Sequence, residues 1–261
     1  MIILMHSSKT MRPPTSAVAP RGVPVLLDRA EELVAFLRTL PPQKLARTMS
    51  LSADLAARTR QQYAEWSTEP GRQTPAAATF VGDIYSGLRV DSFTAADRAY
   101  ADTHLRILSG LYGILRPFDG ISPYRLEMGY RLPPGRYANL YRFWGAAIAE
   151  TLPASGRVVN LAANEYSKAV LPHLDADRVV TPRFLTADPA SGKPKFVVVH
   201  AKIARGAFAR WLVTGRVAGT DEAIRGFRDI GYRYDESVST AREPTFVCAE
   251  FGGKGLSVRL T

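Results

Sequence analysis

Short apolar runs that end on polar residues set the rhythm of this chain. Met1-Ile-Ile-Leu-Met5 stops at His6-Ser7-Ser8-Lys9-Thr10, the pattern of a buried strand delivering polar side chains to its carboxyl edge. The segment Met11 to Pro24, punctuated by Pro13, Pro14, Pro20 and Pro24, reads as extended and irregular. Asp28 is placed to cap a helix carrying Leu33, Phe36, Leu37 and Leu40 along one side, halted by Pro41-Pro42. A second helix is predicted over Ser52 to Trp66, with Leu55, Tyr63 and Trp66 inward. A short one follows over Pro75 to Phe80, and another opens at Ser92 or Thr94 and runs into His104.

Leu105 and Leu108 fit one face of a helix ending near Ser109, followed by a Gly110-Leu111-Tyr112-Gly113 turn. The chain then leaves through Arg116-Pro117 and Pro123-Tyr124-Arg125 to Glu127. Tyr137 to Leu152 has Leu140, Phe143, Trp144, Ile148 and Leu152 at helical spacing, and Val158-Val159 is a short strand opening onto Asn160. Arg178 to Leu185 and Lys195 to His200 read as strands joined by a Ser191-to-Pro194 turn, with a helix over Ile203 to Val213. Tyr232 to Tyr234 and Thr245 to Glu250 are late strands, and Gly252 to Thr261 reads as a frayed tail.

Helical and strand patterns interleave with no break in composition, which predicts one α/β domain over residues 1–261 with a mixed sheet and surrounding helices. Hydrophobic residues at 46% and charged residues at 22% describe a chain that folds on its own core. Against 24 acids stand 34 Lys and Arg, a formal charge of +10, which favours anionic partners. No apolar run is long enough to span a bilayer, no signal-peptide pattern opens the chain, and Cys248 is the only cysteine. The expected location is the reducing cytoplasm, with no membrane partner.

Three strand ends converge on one chemistry. Lys9 with Ser8 and Thr10 follows the first strand; Asn160, Asn164, Glu165 and Lys168 follow Val159; Lys202 and Arg205 follow Val199. Ligands of α/β folds gather beyond the carboxyl ends of strands, so these three junctions predict a shared pocket. There Lys9, Glu165 and Lys202 are the candidate catalytic groups. The gathered cations would lower the Lys9 pKa and ready it as base or nucleophile. Asp83 and Tyr85 form a further polar cluster, and Glu127 supplies an acid near Arg116 and Arg125. The Gly110-to-Gly113 turn reads either as a buried, proline-braced turn or as a helix–hairpin–helix-like clamp whose N–H groups, with Arg106 and Arg116, hold a phosphate. The residues match no dinucleotide, Walker, zinc or nucleophile-elbow pattern, so no metal or cofactor is expected. Cys248, in an apolar run, is expected to be a core thiol.

HLRILSGLYGILRP followed by PYRLEMG closely resembles the YaaA family of bacterial proteins linked to peroxide stress. SKT (Ser8 to Thr10), GDIYSGL (Gly82 to Leu88), YRFWG (Tyr141 to Gly145), NLAANEYSKAV (Asn160 to Val170) and HAKIARGAFAR (His200 to Arg210) agree in the same order. The family pattern around Lys9 commonly reads Ser-Pro-Ala-Lys-Thr, so His6 and Ser7 depart from it. The resemblance implies a single-domain fold with a helix–hairpin–helix element beside a basic cleft, and an association with DNA binding. The resemblance favours a binder of duplex DNA or phosphate acting through a basic cleft; the alternative is an enzyme for a small anionic, nucleotide- or nucleobase-like ligand in a Lys9, Glu165, Lys202 and Arg205 pocket.

Overall fold

The computed structural model describes residues 1–14 and 18–256 as a mixed α/β domain built on two sheets. The first sheet contains β1 (Ile2–His6), β2 (Leu105–Ser109), β3 (Gly113–Leu115), β4 (Val158–Asn160) and β5 (Val179–Val180), in the order β3-β2-β1-β4-β5. All neighbours are parallel except β3, which turns back along β2. Every residue of β1 is buried, as expected of a central parallel strand covered on both faces. Its register sets Ile3 beside Leu105 and Val159, so His6 emerges at the carboxyl edge where the chain has gone to β2 on one side and β4 on the other. That divergence is a topological switch point, where open α/β sheets form their crevices.

The second sheet joins β6 (Arg183–Ala187), β7 (Pro194–Lys195), β8 (Tyr232–Tyr234) and β9 (Thr245–Cys248) in the order β7-β6-β9-β8. Phe184 stacks on Phe246 with ring centres 5.4 Å apart, and Phe227 and Tyr232 meet it edge-on.

Between β1 and β2 lie α1 (Leu27–Arg38), α2 (Pro42–Met49), α3 (Ala53–Glu65), α4 (Asp83–Leu88) and α5 (Ala95–His104), with a single helical turn, Ala76–Thr79, inside the expected Pro75-to-Phe80 helix. Thr94 starts α5 through a capping box with Asp97. Asp28 sits in the first turn of α1 rather than capping it, and Pro42 opens α2 where the sequence showed only a stop. The predicted helix over Tyr137 to Leu152 is two, α6 (Leu140–Trp144) and α7 (Ala147–Glu150), parted by Gly145 at φ +51°. Then follow α8 (Asn164–Ser167) and the long α9 (Val198–Thr214). Lys254–Leu256 forms a single tight turn. The rest of the expected tail and part of the proline-rich segment lie outside the described residues. Among the described residues no helix is long and apolar enough to cross a membrane.

Two expectations are corrected. Residues 105–115 form a β-hairpin, not the start of a helix–hairpin–helix, because β2 is paired between β1 and β3 and nearly all buried, so its apolar Leu105, Ile107 and Leu108 do not show a clear alternation. Residues 198–200 open α9 rather than extending a strand. The β-branched run Val197 to Val199 favours a strand locally, but α9 is buried over much of its circumference and tertiary packing decides.

Candidate functional site

The carboxyl edge of β1 opens into a cavity of about 620 Å³ lined by His6 to Thr10, Arg12, residues 81–84, Glu127, Ala163, Glu165, Tyr166 and Lys202. β1 supplies the floor. The Tyr85 hydroxyl donates to the His6 carbonyl at 2.9 Å, and the Ser7 N–H donates to the Leu108 carbonyl at 2.8 Å, so the backbone leaving the strand is held from two sides. Ser8 Oγ donates to the Val81 carbonyl and accepts from the Thr10 N–H at 3.2 Å, which folds the Ser8-Lys9-Thr10 loop over the entrance to α4.

His6 is buried, stacked on Tyr166 with ring centres 5.1 Å apart, and its Nδ1 accepts the Ala163 N–H at 3.2 Å. Burial first, then the charges of Arg205 and Lys202, pushes its pKa down to about 3. The Ser7 hydroxyl lies within hydrogen-bonding reach of the Tyr124 and Tyr166 phenols. Tyr124 also shares a 2.7 Å hydrogen bond with Ser109, and burial pushes it up to about 12. Burial raises Tyr166 and Tyr85 as well, so all three phenols are neutral at physiological pH.

Lys9 pairs with Glu127 at 2.7 Å. The expected depression of its pKa does not occur: the Glu127 hydrogen bond raises it, against a smaller lowering by burial. The carboxylate arrives from the segment after the hairpin, far away in sequence, and outweighs the cations. Lys9 is therefore an ammonium, not a ready nucleophile. Arg125 braces the pair from behind, its Nη1 donating to the Lys9 carbonyl at 3.4 Å. Its Nε is buried without a partner among the described residues. Glu165, in the first turn of α8, accepts the Gly129 N–H on Oε1 at 2.8 Å while lining the cavity.

Lys202 lines the cavity from the first turn of α9, and Arg205, one turn on, does not line it but lies close enough to act on His6; α9 is fixed by an unusually close crossing with α4. A Cβ added at Gly206 would lie 1.9 Å from the Ile84 carbonyl oxygen, and one at Gly87 would lie 2.1 Å from that of Ile203. Two backbones in direct contact tolerate only glycine at the crossing. This contact sets Asp83, buried at the start of α4, on the same wall as Lys202. Neither Lys202 nor Arg205 makes a hydrogen bond or ion pair with a described residue, and burial lowers the pKa of Arg205.

Other sequence candidates lie elsewhere. Gly110 and Gly113 belong to the core: a Cβ at Gly110 would strike the Leu126 carbonyl at 2.4 Å, and Gly113, at φ +68°, packs on Trp144. Ser109 Oγ takes the Tyr112 N–H at 3.0 Å, so the turn offers no clamp for phosphate. Arg116 is exposed at the opposite end of β2 beside Asp119, with Arg106 nearby. Asn160 ends β4 by accepting the Ala162 N–H and donating to Thr181, while Asn164 and Lys168 are exposed and do not line the cavity. Tyr85 braces the floor without lining it. Cys248 is buried, 3.5 Å from the Thr186 hydroxyl. Among the described residues no cluster of His, Cys, Asp or Glu is arranged to hold a metal ion.

Comparison with known proteins bears on the whole of this arrangement. The family described as Peroxide stress protein YaaA matches residues 1–238. The chain belongs to the YaaA family. A UPF0246 protein of Salinispora tropica is 60% identical over 259 residues, covering 99% of this chain and 98% of its own length. UPF0246 proteins of Burkholderia lata and of a Marinomonas species are 42% identical over 250 residues (92% and 95% covered) and 41% over 257 residues (96% and 98%). Of the YaaA-like segments, five converge on the cavity: the loop after β1, α4, the PYRLEMG segment through Glu127, the end of β4 with α8, and the start of α9. The hairpin segment, the longest of them, packs in the core. Tyr124, Tyr166, Gly87 and Gly206 all fall within the YaaA-like segments, but their roles are not readable there, because nothing local relates a glycine of α4 to one of α9 or a tyrosine to the His6 ring.

Proposed function

We propose that this member of the peroxide-stress family is an enzyme for a small anionic substrate bound at the carboxyl edge of the first sheet. The observation that carries the reading is the pairing of Lys202 and Arg205, two cations with no hydrogen-bonding partner among the described residues, beside a cavity of about 620 Å³. Cavities of this size hold small molecules. In this reading Lys202 and Arg205 balance the ligand's charge, and Lys9, kept protonated by Glu127, donates to it. Glu165, with one oxygen held by Gly129, is the candidate base. The duplex-DNA reading keeps the support of the +10 charge but loses the clamp it relied on, since Gly110 to Gly113 is core.

Calorimetric titration with inorganic phosphate and with adenosine 5′-monophosphate tests the proposal, with a short DNA duplex as the competing ligand. Saturable binding of a small anion, weakened about tenfold or more by Lys202→Met, is the expected result. Binding of the duplex alone, falling steeply with salt as counterions are released, would overturn it in favour of DNA.

A further inference from the structure

His6 is the floor residue that the reading above leaves without a task. It ends a fully buried strand, only 8% of its surface is exposed, and its ring lines the cavity. Nδ1 accepts a hydrogen bond from the Ala163 N–H at 3.2 Å. A backbone N–H can only donate, so Nδ1 must offer its lone pair, and the single proton of the neutral ring sits on Nε2. A second proton would set two N–H groups against each other, in a place where Lys202 and Arg205 already repel a cation. Nε2 makes no hydrogen bond with any described residue. The ring is held by Tyr166 on its face and by Tyr85 on its own carbonyl.

Resting on the small-anion reading, we propose that His6 is a fixed, uncharged hydrogen-bond donor through which the cavity selects ligands bearing an acceptor oxygen, carbonyl or phosphoryl, at its floor. Lys202 and Arg205 supply attraction that any anion feels. His6 supplies discrimination by polarity: a ligand presenting an N–H or O–H there would leave two donors face to face, and one presenting a methyl group would leave Nε2–H buried and unpaired. The same donor placed against a carbonyl undergoing reaction would stabilise charge developing on its oxygen without giving up a proton in the ground state. The arrangement differs from a general-base histidine, which needs a free lone pair facing its substrate.

Imidazole nitrogen NMR of the full chain tests this, with the His6 signals assigned from a His6→Gln variant. The expected spectrum shows His6 as the Nε2–H tautomer, unchanged between about pH 5 and 8, with its Nε2–H resonance moving in step with saturation by inorganic phosphate. An Nδ1–H tautomer, or titration near the ordinary histidine pKa, would overturn the inference directly. Saturation that still depends on Lys202 but leaves Nε2–H unmoved would overturn it while leaving the small-anion reading intact. Absence of saturation by phosphate and by adenosine 5′-monophosphate removes that reading, and the inference falls with it. As a second measurement, His6→Gln, which keeps an N–H near Nε2, should hold phosphate affinity within about threefold, and His6→Leu should lose about tenfold or more. Equal losses in the two variants, at matched thermal stability, would assign His6 to packing alone.

Discussion

At the carboxyl end of β1, Lys202 faces an open cavity with Arg205 behind the wall, close enough to act on His6, while Lys9 across the cavity has a carboxylate of its own. At the other end of the same sheet Arg106, Arg116 and Asp119 line a space of only about 40 Å³, with the Arg21–Asp102 pair close by. Both ends are rich in arginine or lysine, and in the sequence both look like phosphate sites. They differ in how the charge is settled. At the amino end the arginines sit among carboxylates: Arg21 lies 3.7 Å from Asp102, the charges of Arg116 and Arg106 act on Asp102 and Asp119, Asp119 accepts the Arg116 backbone N–H at 2.7 Å, and Arg106 donates to the backbone carbonyls of Asp102 and Leu105. At the carboxyl end Lys202 and Arg205 have no hydrogen-bond or ion-pair partner among the described residues. Net charge counts residues, whereas a binding site is defined by charge that the fold leaves unanswered.

The comparison breaks most severely if α9 is moved. Gly206→Ala forces a methyl group into the Ile84 carbonyl, and the expected loss is about 3 kcal/mol, with phosphate binding lost because Lys202 shifts with the helix. Urea unfolding measures the first and calorimetry the second. A variant of unchanged stability would mean that the crossing is looser than two touching backbones.

The amino end should reveal itself through pH. Burial, and then the neighbouring charge of Asp102, raises Asp119 to about 6 against the pull of Arg116 and Arg106. A carboxyl whose folded pKa lies above its unfolded value binds more protons when folded, so its contribution to stability falls as pH rises from about 4 to 6. A rise of that size corresponds to about 2–3 kcal/mol. Asp119→Asn should flatten that part of the stability profile, measured by denaturant unfolding at several pH values. A parallel profile in the variant would place the titration on another group.

The sharpest contrast between the ends is a pair of matched substitutions. Lys202→Met should weaken phosphate binding by about 1.4 kcal/mol or more, and Arg116→Met, which removes the same charge from the other end, should leave it unchanged. Equal losses from both would show that overall charge, not the cavity, attracts the anion. The smallest effect is expected at the one settled pair of the open end. Lys9 is 56% exposed, so Glu127→Gln should cost less than about 1 kcal/mol in thermal melts while returning the Lys9 pKa toward its ordinary value.

What the sequence reveals and what it hides follow from locality. The approach of Lys9 to a pocket is legible because β1 is a run of buried apolar residues cut off by polar ones, a signal contained in ten residues. Thr94 and Asp97 are legible as a helix start for the same reason. The sequence places Lys202 and Arg205 after a strand that does not exist; Lys202 reaches the cavity, with Arg205 behind its wall, because α9 is laid across α4, a matter of two distant glycines. The hairpin misleads because a strand buried on both faces and a short buried helix share one apolar pattern. Glu127 is visible as an acid, but its partner Lys9 cannot be read, since nothing local joins them.

β9 lies in the interior of the second sheet, between β6 and β8, although it is the last strand of the chain to be described. Phe246 on β9 and Phe184 on β6 together form the surface on which Phe208 of α9 rests. During synthesis, β6 and α9 leave the ribosome well before β9, and α9 then has only half of its aromatic seat. The crossing with α4 still holds α9, but the aromatic seat of Phe208 is complete only when Thr245–Cys248 pairs between its neighbours, so a C-terminally clipped chain would hold Lys202 on a less firmly seated helix.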